Sequence, residues 1–321
     1  MRVLSGVQPS GNLHIGNYFG AIRQFVAMQE EHECFFFLAD YHALTTVQNA
    51  ETMRSLVTDL ATGYLALGLD PEKSVIYRQS DIAEVTELAW YLSTVTSMGL
   101  LQRCHSFKDK VAQGIVPSHG LFAYPVLMAA DILIVNADQV PVGKDQKQHL
   151  EVTRDIAASF HATHGVELFT LPEPMILQNV AVVPGVDGQK MSKSYGNTID
   201  IFGPEKPIRK RIMSIKTDST PVEEPKPTDN SSLHDLAQAF APERERDWLK
   251  LAFSEGGTGY GTIKKKIFEW YRETFGEARQ RYDELKSRPD DVEDVLRDGA
   301  RKARQVIAPL MDEVRSAVGI R

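Results

Sequence analysis

Short apolar segments alternate with longer amphipathic segments along the first hundred residues, and this alternation is the feature that most limits how the chain can fold. The run from Phe35 to Ala39 is continuously apolar and is followed by Asp40, as expected of a strand buried on both faces of a parallel sheet. Parallel neighbours need a long connection, which is usually a helix. The alternation therefore predicts a doubly wound α/β sheet, with strands at 3–7, 35–39 and 74–78 and helices at 17–31, 50–67 and 82–97.

Polar residues follow the carboxyl ends of these predicted strands. Gln8 to Gly11 follow the first strand, Asp40 to His42 the second and Gln79 the third. Ligands of open α/β sheets bind in the crevice outside the carboxyl ends of the strands. We therefore expect the three segments to border a ligand site.

The turn after the first strand has the composition of an anion site. It precedes a segment with helical apolar spacing, and the N–H groups and dipole at a helix N-terminus attract anions. Gly16 leaves room for a base or a phosphate near the backbone, and His14 and Asn17 add neutral donors. The pattern is neither the dinucleotide fingerprint nor a P-loop, and by itself it is equally compatible with an ordinary strand-to-helix turn. The turn reads Gln8-Pro9-Ser10-Gly11-Asn12-Leu13-His14-Ile15-Gly16-Asn17.

A second polar segment carries two lysines three residues apart, Lys190 and Lys193, after the turn-rich run Pro184 to Gly188. Ammonium groups bind phosphate well, so a pair of them can neutralise charge that develops on a leaving pyrophosphate. Two lysines alone are more often a solvated basic loop. The segment reads Lys190-Met191-Ser192-Lys193-Ser194.

Composition describes an ordinary globular chain with a late basic bias. The 321 residues are 42% hydrophobic and 25% charged, a length that predicts about two domains. No apolar run reaches the length of a membrane span, no signal peptide opens the chain, and Cys34 and Cys104 show no metal spacing, as expected of a cytoplasmic protein. The net charge of −7 argues against a general nucleic-acid binder, although local patches can still bind RNA. Basic clusters occur at 209–211, Lys216, 264–266, 301–302 and Arg304.

The two polar motifs together carry a family resemblance. His14 to Asn17 is similar to the HIGH signature of class I aminoacyl-tRNA synthetases, and residues 190–194 match the KMSKS signature of that class letter for letter. Further segments resemble the bacterial tryptophanyl-tRNA synthetases, and the resemblance covers nearly the whole chain. These segments are 8–11, 39–45, 124–133 and 140–150.

The resemblance implies a Rossmann-like catalytic domain at 1–200 and a smaller, all-helical anticodon-binding domain at 201–321. In the second part, amphipathic spacing predicts helices at 233–254, 260–286 and 290–318. The resemblance implies catalytic roles for His14, Lys110, Lys190 and Lys193, with Lys110 in a segment, 99–120, whose composition suggests a loop or lid. The ATP-binding residues that it implies are Gln8, Pro9, Ser10, Gly16, Asn17, Gly143, Lys144, Asp145, Val182, Lys190, Met191, Ser192, Lys193 and Ser194.

The resemblance also implies a tryptophan site around Asp131. Pro125 suits the first turn of a helix, which would place Tyr124 at its start and Met128 and Asp131 on one face. A carboxylate among apolar neighbours needs a partner, and an indole N–H or an α-ammonium is a good one. Pairing with a structural arginine or a helix terminus is the alternative. The implied tryptophan-binding residues are Asp131, Met128, Tyr124, Gln146 and His42.

Two positions depart from the family pattern. Lys144 replaces the usual glutamate of a Gly-Glu-Asp-Gln sequence, so a backbone role survives there but a carboxylate role does not. Ser106 stands where the family often has glutamine. Neither position belongs to the His14 motif or to the Lys190 motif, and both motifs are intact.

The activity that the resemblance implies is joining of tryptophan to tRNA. L-Tryptophan and ATP, with Mg²⁺ carried by the nucleotide, would form tryptophanyl-adenylate, and the acyl group would then pass to the terminal adenosine of tRNA(Trp). The family also implies a homodimer and no membrane contact. The alternatives are a tyrosyl-tRNA synthetase, a nucleotide- or RNA-binding paralogue without chemistry, and a small nucleotidyltransferase. Met128 near Asp131 speaks against the first, and the helical C-terminal part is superfluous for the last.

Overall fold

The computed structural model describes residues 1–104, 118–143, 147–176 and 183–320. Its centre is a parallel sheet of five strands in the order β3-β2-β1-β4-β5. The chain moves outward from β1 on one side and then crosses to β4 on the other, so the winding direction reverses between β1 and β4. The strands are β1 Arg2–Val7, β2 Glu33–Leu38, β3 Ser74–Arg78, β4 Gln139–Val142 and β5 Glu173–Ile176. This confirms the predicted doubly wound, Rossmann-like sheet.

Helices connect the strands on both faces of the sheet. The first, α1, covers residues 15–28 and includes a π-helical turn at Tyr18–Ile22, where the prediction was 17–31. The next are α2 Asp40–Ala43, α3 Ala50–Ala66, α4 Glu84–Val95, α5 Met98–Arg103, α6 His119–Ile134 and α7 Lys147–His164.

Two predictions for this region are wrong. Residues 99–103 of the expected loop belong to helix α5, because Ser97 caps the N–H of Leu100 at 3.2 Å and starts a turn. Helix α6 begins at His119, where Ser118 caps the N–H of Leu121 at 3.1 Å, so Pro125 lies inside the helix and Tyr124 is not at its start. Local caps, rather than the proline, set these helix starts.

The last third of the described chain is helical. The single helix expected at 233–254 is two, because Ala241 and Pro242 adopt extended backbone conformations between them. The helices are α8 Glu205–Met213, α9 Ser232–Phe240, α10 Arg246–Ser254, α11 Tyr260–Lys286 and α12 Pro289–Ala317. None of the helices in the described ranges has the length and apolar character needed to span a bilayer.

The sheet separates two apolar cores. Val3 and Phe36 face a core shared with α1, α3 and helices α9 to α11, whereas Leu4 and Phe35 face a core shared with α4, α6, α7 and α12. Neighbouring residues of a strand point to opposite faces, which explains the division. The C-terminal helix α12 thus packs beside the sheet. The boundary expected at residue 200 stays a prediction.

Helix α12 lies close against the edge strand β3. Arg315 pairs with Glu87 of α4 at 2.7 Å, and Glu293 pairs with Arg78 of β3 at 2.8 Å. Gly299 is the closest point, since a Cβ built there would lie 1.8 Å from the backbone oxygen of Ile76. A hydrogen atom at this position lets the helix cover the edge of the sheet.

Replacing Gly299 by alanine should therefore destabilise the fold. Backbone cannot move aside as a side chain can, and overpacking of a well-packed site costs about 1–3 kcal/mol. Urea unfolding would measure the change. Gly276→Ala is the matched control, because it also lies inside a helix but a Cβ there meets nothing within 4 Å. It should gain about 0.5–1 kcal/mol from helix propensity, and equal behaviour of the two variants would contradict the packing argument.

Candidate active site

A cavity of about 480 Å³ opens at the carboxyl ends of β1 and β4, where the winding of the sheet reverses. This is the expected place for a ligand in such a sheet. Residues from the ends of both strands line it, together with side chains of α2, α6 and α7. Among the predicted site residues, those that line it are Gln8, His42, Tyr124, Met128 and Asp131.

Asp131 lies at the wall of this cavity and is only 2% exposed. His42 Nε2 donates to its Oδ2 at 2.9 Å, and Gln79 Nε2 donates to Oδ1 and Oδ2 at 2.8 and 2.9 Å. Burial raises the pKa of the Asp131 carboxyl above its usual range, and the hydrogen bonds from His42 and Gln79 oppose that rise. Among the described residues, its partners are therefore neither an arginine nor a helix terminus, and both come from segments that follow strand ends.

Three other residues that were predicted to bind tryptophan, His42, Tyr124 and Met128, border the same space. The Tyr124 hydroxyl and His149 Nε2 are 2.8 Å apart, and the Tyr124 ring packs edge-on to His42 with ring centres 6.2 Å apart. Met128 is half-buried one turn before Asp131 and supplies an apolar, adaptable wall. The arrangement offers a flat aromatic ligand apolar walls and one buried acceptor.

The β1–α1 turn forms the second part of the site. Asn17 Oδ1 accepts from the backbone N–H of His14 at 3.0 Å. The NH₂ of Asn17 is the group that can donate to a ligand. The space left by Gly16 is bordered by the protein's own groups, since a Cβ there would lie 3.0 Å from His14 Nδ1 and 3.4 Å from Met191 Cβ. The turn is thereby packed against the Lys190 segment.

His14 is buried and neutral. Burial and the nearby charge of Lys193 lower its pKa to about 4. A neutral imidazole can still donate a hydrogen bond to a phosphate without carrying charge, as the sequence suggested.

Lys193 lies directly against the β1–α1 turn. Its Nζ donates to the backbone oxygen of Gly11 at 2.8 Å and approaches Ser10 Oγ at 3.5 Å. Burial lowers the pKa of Lys193, and the charge of Asp200 opposes that shift. Lys190 is exposed at the other end of the segment. Lys193 and Gly11 are 182 residues apart in sequence, so this contact brings the two motifs together in space.

Between the lysines, the segment is ordered by its own contacts. Met191 is buried, and its N–H donates to the oxygen of Val183 at 3.2 Å. The hydroxyls of Ser192 and Ser194 lie 2.8 Å apart. Lys193–Tyr195 is a 3₁₀ turn.

Asn197 holds this segment in place, a role that the sequence did not reveal. It is 2% exposed, its Nδ2 donates to Lys190 O at 3.1 Å, and its Oδ1 accepts from Ser192 N–H at 2.8 Å. Nδ2 also donates to Asp187 Oδ1 at 2.8 Å. Arg211 of α8 binds the oxygens of Gly196 and Thr198 from the helical side. The sequence signal that could have indicated this role was an asparagine three residues after the lysine motif.

Some predicted site residues lie at or beyond the edges of the described ranges. Gly143 is exposed just after β4, and Pro9 is buried in the β1–α1 turn. No group of three His, Cys, Asp or Glu side chains that could hold a metal ion occurs within the described ranges. The predictions at Lys110, Lys144, Asp145, Gln146 and Val182, and the departure at Ser106, lie outside the described residues.

The family of the chain follows from its relatives. The family model for class I tRNA synthetases of the W and Y type matches residues 1–276. The tryptophan–tRNA ligase of Fusobacterium nucleatum is 52% identical over 99% of this chain and 98% of its own length. That of Rhodopirellula baltica is 53% identical over the full length of both chains. The chain belongs to the tryptophan–tRNA ligase family.

A solved structure agrees with this assignment. The tryptophanyl-tRNA synthetase of Campylobacter jejuni, crystallised with ADP and tryptophan, superposes with a TM-score of 0.93 at 50% identity, covering 99% of this chain and all of that one. The predicted ligase activity is thereby confirmed, with ATP as a substrate, and the tyrosyl alternative is set aside. The roles of individual residues stay predictions in this family member.

The neutral state of His14 predicts a pH effect on stability in this synthetase. Its pKa is about 4 in the folded chain, against 6.5 for an unperturbed histidine. Between these values the unfolded chain binds the proton and the folded chain does not, so the free energy of unfolding should fall as the pH drops through this window. His14→Gln should lack this part of the fall, which urea unfolding from about pH 7 to about pH 4 would measure. Parallel pH profiles for both proteins would show that His14 is not buried in a neutral form.

Proposed function

We propose that the described site carries out tryptophan activation with Asp131 as the recognition group and the two lysines as the phosphate-binding groups. The carboxylate of L-tryptophan attacks the α-phosphorus of ATP in line, a new C–O–P bond forms, and the P–O bond to the β-phosphate breaks. The products are tryptophanyl-adenylate and pyrophosphate. The position of the Lys193 ammonium, 2.8 Å from the Gly11 oxygen on the β1–α1 turn, is the observation that carries this proposal.

The substrate brings its own nucleophile, so the chain supplies position and charge. Lys193 and the exposed Lys190 stabilise negative charge on the leaving phosphates, while the α1 N-terminus and neutral His14 contact the nucleotide. ATP enters as its Mg²⁺ complex, with the ion held by the phosphates. Lys110, outside the described residues, would add a further positive charge.

The tryptophan lies in the cavity at the carboxyl ends of β1 and β4. Asp131 accepts a hydrogen bond from the indole N–H, and Met128 and Tyr124 contact the rings. Gln8 lines the cavity, and Ser10, two residues later in the same turn, lies 3.5 Å from Lys193 Nζ. The amino acid and the phosphates therefore approach each other along Gln8 to Ser10.

The acyl group then passes to the 3′-terminal adenosine of tRNA(Trp), and the helical part, 201–321, binds the anticodon arm. Several of the basic residues considered for this role are engaged in the protein: Lys264 is 9% exposed with Nζ 3.3 Å from Met213 O, and Arg301 pairs with Asp298 at 2.5 Å. Exposed Arg209 and Lys210 of α8 are better placed to meet RNA.

We also propose a homodimer through an apolar surface formed by α2, α4 and α6. Trp90 is 70% exposed and Leu44 50% exposed, and both line a cavity of about 380 Å³. This surface shares His42 and Tyr124 with the tryptophan cavity, so a second copy would cover the wall of the site. Aromatic residues of this kind are common anchors of interfaces.

Trp90→Glu should weaken the dimer at least about 30-fold, the effect of losing an interface hot spot. Sedimentation velocity over a concentration series would measure the change. Leu251→Glu is the control, because Leu251 is also an exposed apolar residue, at 50% against 70% for Trp90, but lies on α10. A monomeric parent protein, or equal dissociation constants for the three proteins, would refute the interface.

ATP and tRNA are substrates available in the cytoplasm, and we place the enzyme there. The two cysteines, Cys34 and Cys104, are free thiols and buried, which suits a reducing compartment.

ATP–pyrophosphate exchange with each of the twenty amino acids tests the proposed activation step. Exchange with tryptophan alone is the expected result. Exchange with tyrosine instead would show that the site is specific for tyrosine. If folded protein showed no exchange with any amino acid, the chain would be a paralogue that binds nucleotide or RNA without catalysing the reaction.

A further inference from the structure

We propose that Gln79 is a positioning residue that determines tryptophan selectivity by holding Asp131 as an indole acceptor. Gln79 is the first residue after β3 and is completely buried. The inference rests on the proposed role of Asp131 and assigns to Gln79 the orientation of its carboxylate.

The orientation of the Gln79 amide is defined by the contacts at both of its ends. Its Oε1 accepts from the backbone N–H of Tyr41 at 3.0 Å, a group that can only donate. Its Nε2 therefore faces Asp131, within 2.8 Å of Oδ1 and 2.9 Å of Oδ2. A flipped amide would place an oxygen against the carboxylate and a donor against a donor.

This arrangement leaves an acceptor for the substrate. Oδ2 of Asp131 receives donors from both Gln79 and His42, whereas Oδ1 receives only the contact from Gln79 among those described. A carboxylate oxygen has two lone-pair sites, so Oδ1 keeps one for an indole N–H. Gln79 thus sets the plane of the carboxylate and leaves one lone-pair site of Oδ1 for the substrate.

The support of Gln79 is itself rigid. Asp40 Oδ1 accepts from the N–H groups of Tyr41 at 3.1 Å and Ser80 at 3.0 Å, which joins the segments after β2 and β3. Arg78, beside Gln79, is paired with Glu293 of α12. Gln79 therefore lies in a segment that is fixed to the end of β2 by hydrogen bonds and to α12 by an ion pair. A selective hydrogen bond needs such a rigid support.

Gln79 also favours the ionised carboxylate that the indole requires. Burial disfavours that charged form, and the donors from His42 and Gln79 oppose the effect. A protonated Asp131 would direct an O–H, and not a lone pair, at one neighbour. Within the part of the chain that the structure describes, the titratable groups that face this carboxyl or share its cavity are His42, Asp40, Tyr77, Tyr124 and His149.

The test compares L-tryptophan with 3-(benzothiophen-3-yl)-L-alanine, in which sulfur replaces the indole N–H. The ratio of kcat/KM for tryptophan to kcat/KM for the analogue, both measured in pyrophosphate exchange, reports what the hydrogen bond to Asp131 contributes. Gln79→Met keeps the length of the side chain but removes the donor, and we expect the ratio to fall about 10–100-fold, the effect of losing one hydrogen bond to a charged group.

Gln29→Met is the matched control for burial. Gln29 is 7% exposed and bonds Gly68 O and Asp70 N–H at 2.9 Å each, away from the cavity. Its variant should lose thermal stability and keep the ratio. An unchanged ratio in folded Gln79→Met would overturn the inference.

Two further variants separate the possible failures. If Gln79→Met does not fold, Gln79→Leu replaces it, since it also removes the donor while Asp40 Oδ1 still accepts from the Tyr41 N–H at 3.1 Å; the ratio must fall there too, and an unchanged ratio overturns the inference. If Asp131→Ala, which has no acceptor, leaves the ratio unchanged, the proposed role of Asp131 fails and the inference with it. If Asp131→Ala lowers the ratio and the Gln79 variants do not, only the role of Gln79 is refuted.

Discussion

Asp131→Ala should lower kcat/KM for tryptophan by about 10²–10³-fold, because truncating one partner of a buried, hydrogen-bonded charged group costs about 2–5 kcal/mol. The substitution leaves the indole N–H, His42 and Gln79 without their shared acceptor in a site that is 2% exposed. Selectivity should suffer more than activity. A site that bonds a polar substrate group rejects analogues by about 10⁴–10⁵, whereas apolar fit alone gives about 10–200-fold.

Pyrophosphate exchange with tryptophan, phenylalanine and tyrosine would measure both effects. The control is Asp138→Ala, since Asp138 lies at the opposite end of the sheet, just before β4, and accepts from the Arg2 N–H at 2.7 Å. It should change stability and leave selectivity intact. Parent-like kinetics for tryptophan in the Asp131 variant would refute the recognition role.

Lys193→Ala should slow adenylate formation by about 10²–10³-fold, the usual effect of removing one preorganised contact to developing charge, or about 2.7–4 kcal/mol. Tryptophan binding should stay near normal, because Lys193 contacts the β1–α1 turn and does not line the tryptophan cavity. Single-turnover adenylate formation gives the rate, and equilibrium titration in the absence of ATP gives the tryptophan dissociation constant.

The control for Lys193 is Lys206→Ala, an exposed lysine on α8. Its rate should equal that of the parent enzyme, which separates a local role from a change in net charge. If the Lys193 variant lost only tryptophan affinity and kept its rate at saturating substrate, Lys193 would contact tryptophan rather than the ATP phosphates, and the prediction would be wrong.

Element prediction succeeded where periodicity and local chemistry agreed. Ser74–Arg78 and Tyr260–Lys286 have the predicted bounds, because a buried parallel strand and a long amphipathic helix have patterns that few alternatives share. It failed at 98–103 and at Pro125, where serine caps started helices that the apolar pattern did not mark. Capping is a local hydrogen bond and leaves almost no trace in hydrophobic periodicity.

The site was predicted in its parts but not in its connections. Residue type and spacing in the two motifs pointed to Lys193 and His14. The family resemblance, together with the cost of burying a lone carboxylate, pointed to Asp131, and the roles of all three stay predictions. The partners of Asp131 lie 52 and 89 residues away, at Gln79 and His42, and no local pattern reports them.

The sequence by itself determined the parallel sheet, the end of that sheet where the cavity opens and the two motifs that we propose bind phosphate, because strand burial, turn chemistry and charge are properties of short segments. Only the tertiary structure decided which segments meet. It brought Lys193 to Gly11, Gln79 to Asp131 and the C-terminal helix α12 to β3, with Gly299 at the closest approach. The reason is physical: an apolar face specifies that it must be buried, but many partners satisfy that requirement equally well. The choice among them depends on packing and on the hydrogen bonds of the whole chain.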